Sequence, residues 1–268
     1  MHIDSSTMTE YKSTAARLLE MALVLRRSGI IRGVTPEKLK MILEELGPTF
    51  VKLGQLMSMR TEILPKEYCA ALALLRTDVK PLSYEEVIRV VESEYGAPPE
   101  EIFQEISPGF IGAASIAQVY RATLKDGTPV VVKIRRPGIE GVVRADLRIL
   151  EHAAKILDSE VPDSRRYDPV HIVSQFGRSL NRELDLAKEA RNIDQFARHF
   201  ADDPLVKIPK VYWAFSNDRV NVQEEIVGRS GVTPEKLRAE GLDPKLLAAR
   251  GSEVVLRMVL EHGYFHAD

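Results

Sequence analysis

The sequence predicts an α+β fold in which a small antiparallel sheet lies among helices. Two observations predict the sheet: a hairpin pattern over residues 116–134 and two further apolar strand patterns within residues 208–226. A third observation predicts the helices, because apolar residues recur at helical spacing before the hairpin and after it. Runs of helices set apart from one antiparallel sheet are typical of the α+β class.

The composition is that of an ordinary globular protein, with 44% apolar and 28% charged residues among 268. The formal net charge is −2 and no basic block occurs, so no nucleic-acid partner is expected. Cys69 is the only cysteine, which excludes a disulfide framework and fits a reducing compartment. Neither a long apolar run nor a signal-peptide pattern occurs, so a cytoplasmic protein, at most peripheral to a membrane, is expected.

Helices are predicted throughout the first 105 residues. Thr35 followed by Pro36 is typical of a helix start, and Ser83 with Glu86 forms a capping-box pattern. The predicted helical ranges are 11–27, 36–46, 48–63, 66–76, 83–95 and 100–105.

The helix predicted over residues 48–63 carries a polar pair, Lys52 and Gln55, which are three residues apart and hence neighbours on one face. Gly54 between them costs up to about 1 kcal/mol of helix stability relative to alanine, so another group is expected to approach the helix closely there. The alternative interpretation is a surface Lys and Gln beside a tolerated glycine.

The hairpin opens with a loop of small residues, whose side chains are too short to keep a ligand from the backbone. Asp126-Gly127 is the turn signal between its two strands. The second strand is apolar except for Lys133, which must either reach water or have a partner. Edge strands commonly carry lysine, so a purely structural role is the alternative. The small loop residues are Gly112, Ala113, Ala114 and Ser115.

The chain after the hairpin is predicted to contain four helices and two strands. A long helix starts at Asp168-Pro169, where a capping residue precedes a proline. The predicted helices are residues 142–157, 168–200, 234–238 and 244–261, and the predicted strands are residues 208–214 and 219–226.

The long helix places a carboxylate on its apolar face. At about 100° per residue, Glu189 falls within the apolar arc, Asp185 lies at its edge, and Glu183 points to nearly the opposite side. A buried carboxylate needs a cation nearby or becomes neutral. Lys133 is likewise a charged residue within an otherwise apolar pattern, that of the second hairpin strand. A buried Lys133–Glu189 ion pair is therefore predicted.

Five motifs, in this order along the chain, resemble the ABC1/UbiB family of atypical protein-kinase-like proteins, which is associated with ubiquinone and isoprenoid-lipid biology. The resemblance extends from about residue 46 to residue 268. The motifs are FVKLGQ at residues 50–55, Ala113-Ala114-Ser115-Ile116 with Gln118-Val119, the strand ending in Lys133, Glu183 and Asp185 with Glu189-Ala190 and Asn192, and Gly263 with FHAD at residues 265–268.

The resemblance implies a protein-kinase-like N-lobe, a small antiparallel sheet plus a long helix, joined to an N-terminal helical extension and only the start of a helical C-lobe. The implied domains are residues 1–105 for the extension with its K-x-G-Q motif, residues 106–227 for the N-lobe, and residues 228–268 for the start of the C-lobe. The chain is expected to be truncated at the catalytic-loop aspartate, because no turn or capping residue follows the H-x-D pattern.

The resemblance also implies roles for individual residues. Lys133 would hold the nucleotide phosphates and pair with Glu189, while Lys52 would meet Glu183 as the extension folds over the site. Asp268 matches the catalytic aspartate, which in kinases accepts the hydroxyl proton. The implied nucleotide-binding residues are Gly112, Ala113, Ala114, Ser115, Lys133, Glu224 and Ile226, and the implied occluding motif is Lys52, Gly54, Gln55, Glu183 and Asp185.

Two departures from the family pattern bear on activity. Gly112 stands where the family usually has alanine, and Ala117 where it usually has glycine, which affects loop flexibility and nucleotide preference. The asparagine and the D-F-G motif that would hold Mg²⁺ do not occur after Asp268. ATP is the implied cofactor, Mg²⁺ is expected only in a full-length form, and this chain alone is expected to be inactive.

Two function classes stay open on these grounds. One is an ATP-using phosphotransferase or ATPase that supports ubiquinone or isoprenoid-lipid biosynthesis, and the other is a regulatory or chaperone-like pseudokinase in a lipid-biosynthesis complex. A third, a helical lipid-binding scaffold, makes no use of Lys133 or Glu189. The implied partners are a nucleotide, an isoprenoid or quinone-like lipid, lipid-biosynthesis proteins and a membrane surface.

Overall fold

The computed structural model describes residues 14–29, 33–75, 81–228 and 233–265, and it confirms the predicted α+β class. Residues 11–13 and 76 of the predicted helices, and Asp268, lie outside this range. In the described part of the chain no helix is long and apolar enough to cross a membrane. In chain order the elements are α1 (Thr14–Ser28), α2 (Pro36–Leu46), α3 (Pro48–Ser58), α4 (Lys66–Leu72), α5 (Tyr84–Tyr95), α6 (Pro99–Ile102), β1 (Phe103–Ala113), β2 (Ala117–Leu124), β3 (Pro129–Arg135), α7 (Ile139–Glu160), α8 (Pro169–Glu183), α9 (Leu186–His199), β4 (Val220–Glu224), α10 (Pro234–Ala239) and α11 (Pro244–Leu256).

The sheet is antiparallel with the order β1-β2-β3-β4, and its two faces have different roles. Side chains alternate between the faces along each strand, and residues opposite each other on neighbouring strands share a face. One face packs against Val87 and Val91 of α5 and forms the main core. The other face carries Lys133, which lies opposite Val119 on β2 and Asn221 on β4. The members of the core face are Tyr120, Ala122, Leu124, Val130, Val132, Ile134, Val220 and Val222.

The predicted hairpin is present, but the sequence did not reveal the strand before it. Residues 103–113 form β1, so the helix predicted over residues 100–105 ends at Ile102. Gly112 and Ala113 belong to this strand, and only residues 114–116 connect it to β2. Irregular register between Ile106 and Phe110 interrupts the alternation of side chains by which such a strand is recognised.

The prediction of a strand over residues 208–214 is wrong. It is reduced to a single bridge between Val211 and Gln223, followed by a 3₁₀ turn at Trp213–Phe215. The second predicted strand is present as β4, which is paired along its length with β3.

The long helix predicted over residues 168–200 is broken into α8 and α9. Asp185 caps α9 by accepting a hydrogen bond of 3.2 Å from the Lys188 backbone N–H, so it does not lie on the edge of a continuous apolar arc. Two contacts hold the break: the Leu186 N–H donates to the Asp218 carbonyl at 3.0 Å, and the Arg135 guanidinium donates to the Leu184 carbonyl at 2.7 Å. Apolar spacing continues across the break, which is why the pattern predicted one helix.

The helical extension packs beside the beginning of β2. Helix α3 ends at Ser58 instead of Ile63. Its residues Leu53 and Leu56 pack against the cluster that includes Ile116, the residue directly after Ser115. The extension therefore lies next to the small-residue loop.

Gly54 allows the helices of the extension to approach each other. A Cβ atom at this position would lie 2.3 Å from a methyl carbon of Leu75 and 2.8 Å from one of Leu43. The predicted close approach is thus present, and the approaching groups are leucines of the extension.

A buried ion pair ties α1 to α7. The Arg17 Nε donates to Asp146 Oδ1 at 2.6 Å, and the two residues are 4% and 0% exposed. Burial raises the pKa of Asp146 more than the Arg17 hydrogen bond lowers it. Burial lowers the pKa of Arg17, but the hydrogen bonds and charges of Asp146 and Glu20 together outweigh it and leave that pKa raised. Asp146 accepts two hydrogen bonds from the Arg17 guanidinium, which holds the two residues together as an ion pair.

Replacement of Gly54 by valine is expected to lower the free energy of unfolding by about 1–3 kcal/mol, since the added atoms overlap packed leucines. The matched control is Gly251→Ala in α11, where a Cβ meets nothing within 4 Å. That change is expected to raise the free energy of unfolding by up to about 1 kcal/mol through helix propensity. Chemical denaturation measures both values. Equal stability of Gly54→Val and the parent chain would show that α3 and α4 are not closely packed.

Candidate nucleotide site

The centre of the site is an ion pair between the sheet and α9. Lys133 Nζ lies 2.6 Å from Glu189 Oε2. This contact was predicted because each residue is a charge within an apolar pattern. The side chains are 26% and 39% exposed, so the expectation of a buried pair is wrong. The face of β3 that carries Lys133 is only partly covered by α9, which leaves the ammonium accessible.

A second ion pair joins the helical extension to the end of α8. Lys52 Nζ lies 3.0 Å from Glu183 Oε2, and the two side chains are 32% and 41% exposed. Glu183 is the last residue of α8, whereas Glu189 lies in the first turn of α9. Each carboxylate therefore has its own lysine, in agreement with what the resemblance implies.

The remaining residues of the implied occluding motif have structural contacts. Gln55 Nε2 donates to the Leu75 carbonyl at 3.2 Å, which fixes the end of α4. Asp185 caps α9 and lies 3.6 Å from the Arg191 guanidinium. Of this motif, Lys52 and Glu183 make the contact between the extension and α8.

The small-residue loop combines an exposed and a buried part. Ala113 and Ala114 are exposed, and Ser115 is buried. The Ala114 N–H donates to the Ala117 carbonyl at 2.9 Å, which closes a tight turn. The backbone at this turn is thus accessible and has a defined shape.

Arg136 stabilises the small-residue loop through two hydrogen bonds. Its Nε donates to the Ala114 carbonyl at 3.1 Å, and its backbone N–H donates to the Ile116 carbonyl at 2.8 Å. Burial lowers the pKa of Arg136, while Tyr120 and Glu86 act in the opposite direction. Arg136 was not among the predicted site residues; the signal available in the sequence was a second arginine directly after an apolar strand.

Gln118 extends this support to the start of α5. It is fully buried, its Oε1 accepts from the Leu82 N–H at 2.9 Å, and its Nε2 donates to the Tyr120 hydroxyl at 2.7 Å. An Arg136 nitrogen also approaches Gln118 Oε1 at 3.4 Å. The motif residue Gln118 therefore supports the loop from the core face of the sheet.

The segment after β4 holds the other two predicted nucleotide-binding residues. The Glu224 carboxylate pairs with Lys207 at 2.7 Å and accepts from the Lys210 N–H at 3.1 Å. The Lys207 contact and then the Lys210 hydrogen bond lower the pKa of Glu224. Ile226 lies in irregular chain after β4 and is exposed. The backbone N–H of Glu224 donates to the Lys210 carbonyl at 2.8 Å, so both this N–H and the side chain have structural partners.

Two amide side chains were missed by sequence reasoning. Asn221 and Gln223 are alternate residues of β4, opposite Lys133 and Val131. Within the described residues, both polar atoms of Asn221 and the Oε1 of Gln223 are buried without a hydrogen-bond partner. The signal in the sequence is the alternation of valine with amides over residues 220–223.

Metal ligands are not grouped in the part of the chain that the structure describes, where no set of three or more His, Cys, Asp or Glu side chains is arranged around a common point.

The family model described as the ABC1 atypical kinase-like domain matches residues 74–268. The chain belongs to the ABC1 atypical kinase-like family. A relative from Cellvibrio japonicus, called probable protein kinase UbiB, is 40% identical over 232 residues, which cover 87% of this chain and 42% of the relative. A relative of the same name from Pseudomonas paraeruginosa is 37% identical over 243 residues, covering 91% of this chain and 45% of the relative. This chain thus spans less than half the length of these ABC1-family relatives.

A solved structure supports the kinase-like architecture of this family member. The complex of Rv3197 with erythromycin from Mycobacterium tuberculosis is similar with a TM-score of 0.51 and 27% sequence identity. The similarity covers 87% of this chain and 54% of that chain.

Loss of the buried Arg17–Asp146 pair is expected to lower the free energy of unfolding more than loss of the exposed Lys133–Glu189 pair. Arg17→Met leaves the buried Asp146 carboxylate without its ion-pair partner and should lower the free energy of unfolding by about 3–5 kcal/mol. Glu189→Ala removes the partner of an accessible lysine and should cost about 1 kcal/mol or less. Urea denaturation of the two variants compares them directly. Similar losses for both would show that the Lys133–Glu189 pair is shielded from water.

Proposed function

We propose that this chain binds ATP and acts as the nucleotide-binding part of a kinase-like phosphotransferase or ATPase. The observation that carries the proposal is the contact of 2.6 Å between Lys133 and Glu189 beside an accessible turn of small residues. A lysine on the third strand that is paired with a helix glutamate is the arrangement with which kinases hold nucleotide phosphates.

The charges of the site suit a polyphosphate. Glu189 positions the Lys133 ammonium, and the exposed side of that ammonium is free to meet phosphate oxygens. The turn at Ala113 and Ala114 keeps side chains away from the backbone, as close approach of phosphates requires. Arg136 maintains the turn through the hydrogen bond from its Nε to the Ala114 carbonyl.

The helical extension gives the proposed site a further property. Lys52 is paired with Glu183, and α3 packs next to Ile116, so the extension stands beside the phosphate end of the site. We propose that it restricts access for large substrates such as folded proteins. A small or lipid-like substrate agrees with this restriction better than a protein does.

The biological setting is proposed from the relatives. Those described above carry the name UbiB, and the family resemblance includes ubiquinone and isoprenoid-lipid biology. We propose that ATP use by this chain supports the biosynthesis of such lipids, with lipid-biosynthesis proteins and a membrane surface as its partners.

Lys133→Ala is expected to weaken ATP binding about tenfold to a hundredfold, because it removes a charged hydrogen-bond donor to phosphate. Isothermal titration calorimetry measures the dissociation constant. Lys188→Ala is the matched control, since Lys188 lies next to Glu189 but pairs with Asp185. That control should bind ATP within about twofold of the parent chain. Equal loss in both variants would indicate a non-specific charge effect.

The second candidate function is a regulatory or chaperone-like nucleotide-binding protein without catalysis. In kinases an asparagine and a D-F-G motif that follow the catalytic aspartate hold Mg²⁺, and the 268 residues end at Asp268, before those positions. Phosphoryl transfer depends on positioning and on charge neutralisation by metal ions. We therefore propose that the 268 residues bind nucleotide but need further residues for turnover.

ATP hydrolysis by the 268-residue chain is expected to stay at the background rate, while a chain extended by the metal-binding motifs of a relative should show turnover. Release of inorganic phosphate measures this, with Lys133→Ala in both chains as the control. Equal turnover in both chains, abolished by Lys133→Ala, would place the chemistry on residues not identified above. Absence of turnover in the extended chain would favour the regulatory role.

A further inference from the structure

A buried arginine at the end of β3 reaches the junction between α8 and α9. Arg135 Nη1 donates to the Leu184 carbonyl at 2.7 Å, and Arg135 is 8% exposed. Leu184 is the C-terminal cap of α8, and the carbonyls at a helix C-terminus have no partner within the helix. A cation at this position also meets the negative end of the helix dipole. Arg135 therefore joins the sheet to the end of α8.

The same guanidinium lies beside the contact that fixes the start of α9. Arg135 Nη1 approaches the Asp218 carbonyl at 3.4 Å, and this carbonyl accepts a hydrogen bond of 3.0 Å from the N–H of Leu186, the first residue of α9. The Arg135 backbone is held within the sheet, opposite Ala117 and through a hydrogen bond of 2.8 Å from its N–H to the Arg219 carbonyl. The end of α8 and the start of α9 are thus both attached to a paired strand.

The contact between Lys133 and Glu189 does not suffice to position α9. Both side chains are partly exposed, and exposed ion pairs add little to stability. Glu189 lies in the first turn of α9, so a shift of the helix start moves its carboxylate relative to Lys133. A displacement of about 1 Å is enough to break a contact of this kind, because hydrogen bonds are lost at separations of about 3.6 Å. The position of Glu189 must therefore be fixed by other contacts of the helix start.

We propose that Arg135 is a positioning residue of the candidate nucleotide site, which orients the start of α9 so that Glu189 meets Lys133. The proposal rests on the proposed function and adds to it a residue that acts on the nucleotide only through Glu189 and Lys133. Arg135 and Lys133 are alternate residues of β3. One strand end therefore carries both the lysine that meets phosphate and the arginine that places the partner of that lysine.

Removal of the Arg135 guanidinium is expected to leave the chain folded. Its acidic neighbours, Glu140 and Asp218, lie 3.5 Å from it and have side chains that are 44% and 60% exposed. Neither carboxylate becomes a buried charge without a cation when Arg135 is replaced, in contrast to Asp146 after loss of Arg17. Methionine also preserves the apolar stem of the arginine. Arg135→Met is therefore a suitable test variant.

Arg144→Met is the matched control. Arg144 Nη2 lies 2.7 Å from Glu140 Oε1, so this variant also removes an arginine from the Glu140 carboxylate. Arg144 lies on α7, and its ion pair does not involve the junction between α8 and α9. The two variants thus share the loss of an arginine near Glu140 and differ in the contact with Leu184.

The first measurement is a double-mutant cycle of ATP binding. Calorimetry at one magnesium concentration gives dissociation constants for the parent chain, Arg135→Met, Glu189→Ala, the double variant and Arg144→Met. Arg135→Met should weaken ATP binding about three- to tenfold, the size of one hydrogen bond, and Arg144→Met should change it less than about twofold. In the Glu189→Ala background, Arg135→Met should change binding less than about twofold, because the group that Arg135 positions is already absent. A merely structural role of Arg135 would weaken binding by the same factor in both backgrounds.

The second measurement needs no nucleotide. Trp213 is the only tryptophan of the chain, and its Nε1 donates to Asp194 Oδ2 on α9 at 2.6 Å, so its fluorescence reports the position of this helix. The emission spectrum should differ between Arg135→Met and the parent chain and should be the same for Arg144→Met and the parent chain. Thermal unfolding checks that each variant is folded. Arg135→Gln, whose side chain ends before the position of Nη1, replaces Arg135→Met in both measurements if the methionine variant does not fold.

Three results would overturn the inference. They are unchanged ATP affinity in Arg135→Met, equal weakening with and without Glu189, and an unchanged emission spectrum of Trp213. In each case the proposed function stands if Lys133→Ala still weakens ATP binding. Failure of the parent chain to bind ATP would overturn the proposed function and, with it, the role of Arg135 in nucleotide binding.

Discussion

The hydrogen bond from the Arg135 guanidinium to the Leu184 carbonyl is the contact on which the arrangement of the site depends. Leu184 lies between Glu183 at the end of α8 and the cap of α9, so this bond of 2.7 Å sets where both helices meet the sheet. Arg135 and Lys133 are alternate residues of β3 and share a face. One side chain therefore positions the helix that carries Glu189, and the other side chain pairs with that glutamate.

The next residue, Arg136, performs the corresponding task for the small-residue turn. Its guanidinium reaches the Ala114 carbonyl and approaches Gln118, whose amide also binds the backbone before α5. Two adjacent arginines at the end of β3 thus fix both parts of the site. Arg135 fixes the helix that carries Glu189, and Arg136 fixes the small-residue turn. Both guanidinium groups are buried, and Arg135 also lies 3.5 Å from the Glu140 and Asp218 carboxylates, whereas the Lys133 side chain is 26% exposed.

Sequence reasoning located the residues that meet in the site but not the backbone that brings them together. Lys133 and Glu189 were identifiable because a charge within an apolar pattern needs a partner, and that argument is independent of exact helix ends. The break between α8 and α9 was not identifiable, because apolar spacing continues through it and its cause lies in Arg135 and Asp218, which are distant in sequence. Strand β1 was missed for a related reason, since its irregular pairing interrupts the alternation.

The contrast between the two lysine–glutamate contacts and the Arg17–Asp146 pair has a consequence for how the molecule responds to its surroundings. Arg17 and Asp146 are enclosed, so separating them leaves the Asp146 carboxylate buried without its cation, which opposes separation of α1 from α7. Lys133 and Glu189 are reached by solvent and counterions, which attenuate their attraction over a Debye length of about 8 Å at physiological salt. The lysine can therefore exchange one anionic partner for another without unfolding of the chain. The fraction of molecules in which Lys133 is paired with Glu189 then depends on ionic strength and on competing anions.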